Sequence, residues 1–282
     1  MTINNTAVIG AGLMGTGIVQ VIAEAGYQVV WVDISAEQLS KGFDNISRQL
    51  NRKLEKGKCE KQHVDATLGR ISLAGTLEAV GSADLVVEAV PEVMELKKSI
   101  FRQLDEITRS DTILLSNTSG LSISALGAVT HKPEKVIGAH FFYPAPLMGL
   151  VEVIPGLLTA REVFNTVMEF SRSLGKEPVE CKDFPGFIVN RLLVPMVNEA
   201  IFLLMEGIKP EDIDTAMKLG ANHPMGPIAL ADFVGLDTLL ATMQGLYEGF
   251  RGSKYRPCPL LIKMVEAGNL GRKTGRGFYN YQ

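Results

Sequence analysis

The chain has 282 residues and a net charge of −3 at neutral pH, enough length for one large domain or two modest ones. No excess of cations points to nucleic acid or to an anionic membrane surface. Cys59, Cys181 and Cys258, with His63, His131, His140 and His223, show no ligand spacing, so no metal site is expected. The thiols read as reduced and the first residues lack a leader pattern, so a cytoplasmic protein is expected. The apolar stretch from Phe187 to Met205 is interrupted by Asn190, Arg191, Asn198 and Glu199. A charge near a bilayer centre costs at least about 2.5–3.5 kcal/mol, so this segment reads as a buried helix rather than a membrane span.

The first half alternates strand and helix. Thr6–Gly10 is a short apolar run, and Met14–Ala25 has helical character that stops at Gly26. Gln28–Val32 is rich in β-branched residues and predicts a second strand. Ser35 with Gln38 forms a candidate capping box for a helix reaching about Lys56. Leu85–Val90 is a continuous apolar run suited to a strand buried on both faces, and Pro91 is expected to open the next helix. Strands follow at Thr112–Ser116, Val136–Phe142 and Val151–Ile154, with Thr159 and Glu162 as a candidate cap for the helix after them. This alternation predicts an α/β fold with a mostly parallel sheet covered by helices.

The character changes at Asp183-Phe184-Pro185-Gly186, beyond which no strand period is visible. Ile188–Glu206 predicts a long helix kinked at Pro195, followed by Pro210–Leu219 and Ile228–Phe250. The helix from Ile188 is apolar nearly all round and needs cover on most faces, for which a second subunit is a natural source.

Gly10-Ala11-Gly12-Leu13-Met14-Gly15 falls between the first strand and the first helix, the context in which a glycine turn cradles a pyrophosphate. Asp33 ends the second strand, 18 residues after Gly15. A carboxylate there accepts from ribose hydroxyls and repels a 2′-phosphate, which favours NAD over NADP. The motif alone is also compatible with a purely structural glycine loop.

Oxidation of a hydroxyl by NAD needs a base that titrates near neutral pH. His140 lies at the end of its predicted strand, where ligands of open α/β sheets gather, although a core histidine satisfied by backbone fits equally. Glu152 follows 12 residues later between Val151 and Val153. An acid in so apolar a strand needs a partner if buried, and an imidazole whose tautomer it would set is a natural one. A solvent-facing place in an alternating strand is the other reading of Glu152.

Taken with Val87-Glu88-Ala89, Ser116-Asn117-Thr118-Ser119, Gly138-Ala139-His140-Phe141-Phe142, Leu150-Val151-Glu152-Val153, Pro185-Gly186-Phe187-Ile188-Val189-Asn190-Arg191, Pro224-Met225-Gly226-Pro227 and the segment from Gly271 to Tyr279, the chain resembles the L-3-hydroxyacyl-CoA dehydrogenase family. It is particularly similar to its bacterial 3-hydroxybutyryl-CoA members, and the match spans essentially the whole chain. The resemblance implies a Rossmann-like NAD-binding domain over residues 1–184 and a helical domain over 185–282. The second domain is expected to form a homodimer and to close a cleft for the acyl-CoA.

It further implies that His140 is the general base, that Glu152 orients it, and that Ser119 and Asn190 hydrogen-bond near the reacting oxygen and thioester. Gly10, Gly12, Leu13, Met14, Gly15, Asp33, Glu92, Lys97, Asn117, Ser119, Tyr143 and Lys273 are expected around the cofactor. Arg48, Arg52 and Lys53 are expected near the CoA phosphates. Plain alternatives stand beside these: first-turn helix charge for Glu92, and solvated surface for Lys97, Lys273 and any one of the cations near Arg48.

Three positions depart from the family pattern, with Tyr143 where asparagine is usual, Gly120 where serine is usual and Gly149 where lysine is usual. They leave open the same chemistry on a small polar acyl group held by an acyl carrier protein. A non-catalytic NAD-binding homologue is the remaining alternative.

Overall fold

Apolar runs short enough to be strands, most of them followed by a helix, pack as a sheet covered on both sides. In the computed structural model, which describes residues 2–281, they form β1 (Asn5–Ile9), α1 (Leu13–Glu24), β2 (Gln28–Val32), α2 (Ala36–Glu55), α3 (Lys61–Gly69) and β3 (Ile71–Ala74). There follow β4 (Leu85–Glu88), α4 (Met94–Ile107), β5 (Ile113–Ser116), α5 (Ile123–Gly127), β6 (Val136–Phe141), β7 (Leu150–Pro155), α6 (Arg161–Ser173) and β8 (Glu177–Glu180). The chain divides into two compact units at Asp183–Phe184.

The first unit holds one eight-stranded sheet in the order β3-β2-β1-β4-β5-β6-β7-β8. Neighbours are parallel except β6 and β7. Chain order reverses between β1 and β4, which opens a crevice at their carboxyl ends. Core side chains such as Val8, Ile18, Trp31, Leu85, Leu115 and Val151 are buried between sheet and helices. Trp31 also donates its indole N–H to the Gly10 carbonyl at 3.0 Å, which ties β2 to the turn after β1.

Several boundaries differ from those expected. Ser35 does cap α2, accepting from the Gln38 N–H at 3.2 Å. The reciprocal arm of the box is replaced, because the Ser35 N–H donates to Asp33 Oδ1 at 2.8 Å. Pro91 does not open a helix. Residues 91–93 form a connection, and α4 starts at Met94. Thr159 does not cap α6, for its hydroxyl donates to the Val136 carbonyl and accepts from the Gly156 N–H. The elements α3, β3, α5 and β8 were not foreseen. β3 and β8 are the two edge strands, with mixed burial and, in β8, a proline that an edge can tolerate.

The second unit is helical: α7 (Val189–Met205), α8 (Pro210–Gly220), α9 (Pro227–Val234), α10 (Leu236–Phe250) and α11 (Pro259–Glu266). Its core gathers Val197, Ile201, Ile213, Ile228, Leu236, Met243 and Leu261. The expected single helix over 228–250 is broken at Gly235, whose φ of 101° lies outside helical geometry. The final segment is tied down by Asp232, which accepts from the N–H groups of Phe278 and Tyr279 and from the Tyr281 hydroxyl.

Candidate active site

Each glycine of the turn after β1 meets a distinct steric demand. Gly10 has φ 106°, and a Cβ there would lie 2.6 Å from the Ala89 carbonyl oxygen just past the end of β4. A Cβ on Gly15 would strike the Gly10 carbonyl oxygen, whereas one on Gly12 would meet nothing within 4 Å. Gly12 therefore faces open space, and the turn presents bare backbone to whatever lies above the N-terminus of α1. Leu13 is exposed and Met14 half-buried at that end. Asp33 is half-buried at the end of β2, where its Oδ2 accepts from the Ala11 N–H at 2.7 Å. Glycine turn and acidic residue are thus one hydrogen-bonded piece, and the carboxylate oxygens keep lone pairs for further donors.

On the other side of the turn lie the ends of β4, β5 and β6. Asn117, buried after β5, accepts at Oδ1 from the Phe141 N–H at 2.9 Å. Glu92, exposed in the connection before α4, accepts at Oε1 from the Thr118 hydroxyl at 2.5 Å and from the Ser119 N–H at 2.7 Å. Ser119 itself is exposed. Lys97, for which solvated surface was one reading, is 1% exposed and lies 2.6 Å from Glu88 and 3.3 Å from Glu92. Sequence reasoning missed Glu88 and Ser116, both fully buried and 2.6 Å apart. An acid in the continuous apolar run of β4 was a signal that could have found Glu88.

His140 and Glu152 sit directly opposite each other in the antiparallel register of β6 and β7. Residues so paired place their side chains side by side on one face of the sheet. The His140 Nδ1 to Glu152 Oε2 distance is 2.7 Å, with the two residues 6% and 1% exposed. The solvent-facing reading of Glu152 is therefore set aside. An ionised carboxylate can only accept, so in that state the proton between the two sits on Nδ1. The Phe142 ring lies 4.4 Å from the imidazole, centroid to centroid.

Tyr143 is 56% exposed in the connection from β6 to β7. That connection is held from below by Lys176, whose ammonium donates to the carbonyls of Ala145 and Met148 at 2.7 and 2.8 Å. Burial pushes the Lys176 ammonium below the ordinary lysine range. Gly120 donates its N–H to the Thr118 hydroxyl, and Gly149 accepts from the Glu177 N–H.

Arg48 and Arg52 are exposed on α2, but Lys53 is bound to Glu24 at 2.8 Å. Asn190, half-buried in the first turn of α7, and Lys273 belong to the second unit. The Lys273 ammonium pairs with Asp237 at 2.5 Å. Burial would raise the Asp237 carboxyl, yet hydrogen bonding and charge from Lys273 outweigh it and hold the group low. Among the described residues no group of three or more His, Cys, Asp or Glu is arranged to hold a metal ion, and no helix is long and apolar enough to cross a membrane.

A strand-order reversal, a bare glycine turn with its acidic neighbour, and a buried imidazole–carboxylate pair on the same sheet define a Rossmann-type, NAD-dependent oxidoreductase. The profile of the 3-hydroxyacyl-CoA dehydrogenase NAD-binding domain matches residues 5–184, and that of the C-terminal domain of the same enzymes matches residues 186–281. The chain belongs to the 3-hydroxyacyl-CoA dehydrogenase family. It is 50% identical over 281 residues to a 3-hydroxybutyryl-CoA dehydrogenase of Bradyrhizobium diazoefficiens, covering 99% of this chain and 96% of that one. A 3-hydroxybutyryl-CoA dehydrogenase of Clostridioides difficile is 48% identical, with 98% of each chain covered. Among solved structures, the (S)-3-hydroxybutyryl-CoA dehydrogenase of Ralstonia eutropha superimposes with a TM-score of 0.97 at 46% identity over the whole of both chains.

Proposed function

We propose that the chain interconverts a short L-3-hydroxyacyl-CoA, 3-hydroxybutyryl-CoA in the first instance, and its 3-ketoacyl-CoA. The observation that carries this reading is the buried His140–Glu152 pair at the carboxyl end of β6. His140 takes the hydroxyl proton at Nε2 on oxidation and returns it on reduction. Glu152 keeps the proton on Nδ1 and stabilises the imidazolium as it forms. NAD, when bound, supplies the hydride acceptor. Bare backbone at Gly12 and the carboxylate of Asp33 support its seat on the turn from Gly10 to Gly15.

Ser119 is assigned to the reacting oxygen on the family resemblance, and its backbone N–H donates to Glu92. Asn190 is assigned to the thioester and Lys273 to the cofactor on the family resemblance. Arg48 and Arg52 are better phosphate ligands than Lys53, which already has a carboxylate partner. The exposed side chains of Leu192, Met205 and Phe233 in the second unit support a homodimer formed through it. The enzyme is taken as cytoplasmic.

Acetoacetyl-CoA with NADH, followed by absorbance at 340 nm, tests the reading. Turnover by the wild type, and its loss in His140→Ala with NADH still bound, is expected. A folded wild type that consumes no NADH with CoA substrates, yet does so with a carrier-protein thioester, would move the substrate and keep the chemistry.

A further inference from the structure

The ends of β4 and β5 hold a charge cluster that proton and hydride transfer do not use. Glu88 is 0% exposed, and its carboxylate takes three donors: Lys97 Nζ at 2.6 Å, the Ser116 hydroxyl at 2.6 Å and the Val90 N–H at 2.8 Å. Lys97 also donates to the Val90 carbonyl and lies 3.3 Å from Glu92 Oε2. Glu92 is the member that opens to solvent, with its side chain 43% exposed against 1% for Lys97 and 0% for Glu88. Two carboxylates share one ammonium, so the trio carries a net single negative charge. Apolar packing would fasten α4 to β4 at less desolvation cost. What the charged trio adds is a fixed negative potential at the mouth of the crevice.

The direction in which a dinucleotide would lie follows from the fold, and this step rests on the cofactor assignment above. Asp33 receives the adenosine end on the β2 side of the glycine turn. The nicotinamide end then lies on the side of β4, β5 and β6, where Glu92 and Ser119 are. A nicotinamide ring bears one positive charge when oxidised and none when reduced. We propose that Glu88, a buried positioning residue acting through Lys97 and Glu92, fixes the net charge of this trio and so weights the site toward the oxidised cofactor relative to a site with a neutral trio. A unit charge about 12 Å away, at an effective dielectric of about 20, supports about a tenfold discrimination.

The test is direct binding without substrate, using calorimetric titration for NAD+ and fluorescence titration for NADH. Glu88→Gln brings the trio to zero charge and is expected to shift the affinity ratio about tenfold toward NADH. For a two-electron couple this raises the potential of the bound cofactor by about 30 mV. The double variant Glu88→Gln with Lys97→Met restores one negative charge on Glu92 and returns the ratio to the wild-type side. Ser116→Ala leaves all three charges in place and moves both affinities together. Glu92→Gln neutralises the trio from the solvent side, so it gives the same shift and decides the matter if Glu88→Gln does not fold. An unchanged ratio in the neutralised variants, or no recovery in the double variant, overturns the proposal. A wild type that binds neither dinucleotide overturns the cofactor assignment instead.

Discussion

Replacing Glu152 by glutamine tests the cross-strand pair with the least disturbance. Glutamine keeps the volume of the side chain, so no cavity opens in a site where the two residues are 1% and 6% exposed. It removes the charge opposite Nδ1, and its amide can donate as well as accept. The imidazole is then free to hold its proton on Nε2, where it can no longer accept one from a hydroxyl. General-base catalysis contributes about 10²- to 10⁴-fold, so kcat should fall within that range. The stability cost is that of a buried, charge-assisted hydrogen bond at 2.7 Å, about 1.5–3 kcal/mol. At about 2–4 °C per kcal/mol for a unit of this size, Tm should drop by several degrees while the protein remains folded at 25 °C. The assay is NADH consumption with acetoacetyl-CoA at saturating substrate, alongside NADH binding and a thermal melt. A folded variant with kcat within about threefold of wild type would refute the claim that Glu152 sets the ring's protonation.

Other perturbations reach different parts of the molecule. Gly15→Ala pushes a methyl group into the Gly10 carbonyl oxygen, so NADH affinity should fall by about 100-fold or more, measured by fluorescence titration. Asp232→Ala removes three hydrogen bonds to residues 278–281. It should cost about 2–4 kcal/mol in urea denaturation and expose that segment to proteolysis, and resistance equal to wild type would count against the anchor. Asp84 is raised by burial but lowered more by the N–H groups of Asn5 and Asn4 and by Arg109, so its carboxyl sits below the usual range. Its stabilisation is therefore complete above the unfolded value near 3.9 and lost as pH falls through the folded one. Urea midpoints of wild type and Asp84→Asn, measured from pH 6 down to pH 2, should converge at the acid end.

The central strands were legible because each is a short apolar or β-branched run between breakers, and β2 falls on the expected Gln28–Val32. The edges were not: Ile71–Ala74 and Glu177–Glu180 are four-residue strands whose side chains half face water, so neither carries a long apolar run. The start of α4 was misplaced because a proline can open a helix or belong to a connection, and local sequence does not separate the two. Gly235 inside an otherwise helical pattern was a readable break that the periodicity overrode. In the site, Glu152 was found by asking what an acid does in an apolar strand. The same question put to Glu88 would have exposed the buried trio, but Lys97 is nine residues away and the pairing is tertiary.

The reversal of β7 against β6 has a consequence for how such an enzyme can diversify. In that ladder the partner of His140 is decided by backbone hydrogen bonds between the two strands, not by the number of residues that join them. The connection from Phe142 to Gly149 can change length or exchange side chains, Tyr143 and Gly149 among them, while imidazole and carboxylate stay face to face. A slip of one residue, by contrast, turns Glu152 to the other side of the sheet and abolishes the pair. The connection can therefore vary without disturbing the pair, because the two belong to separate parts of one hairpin.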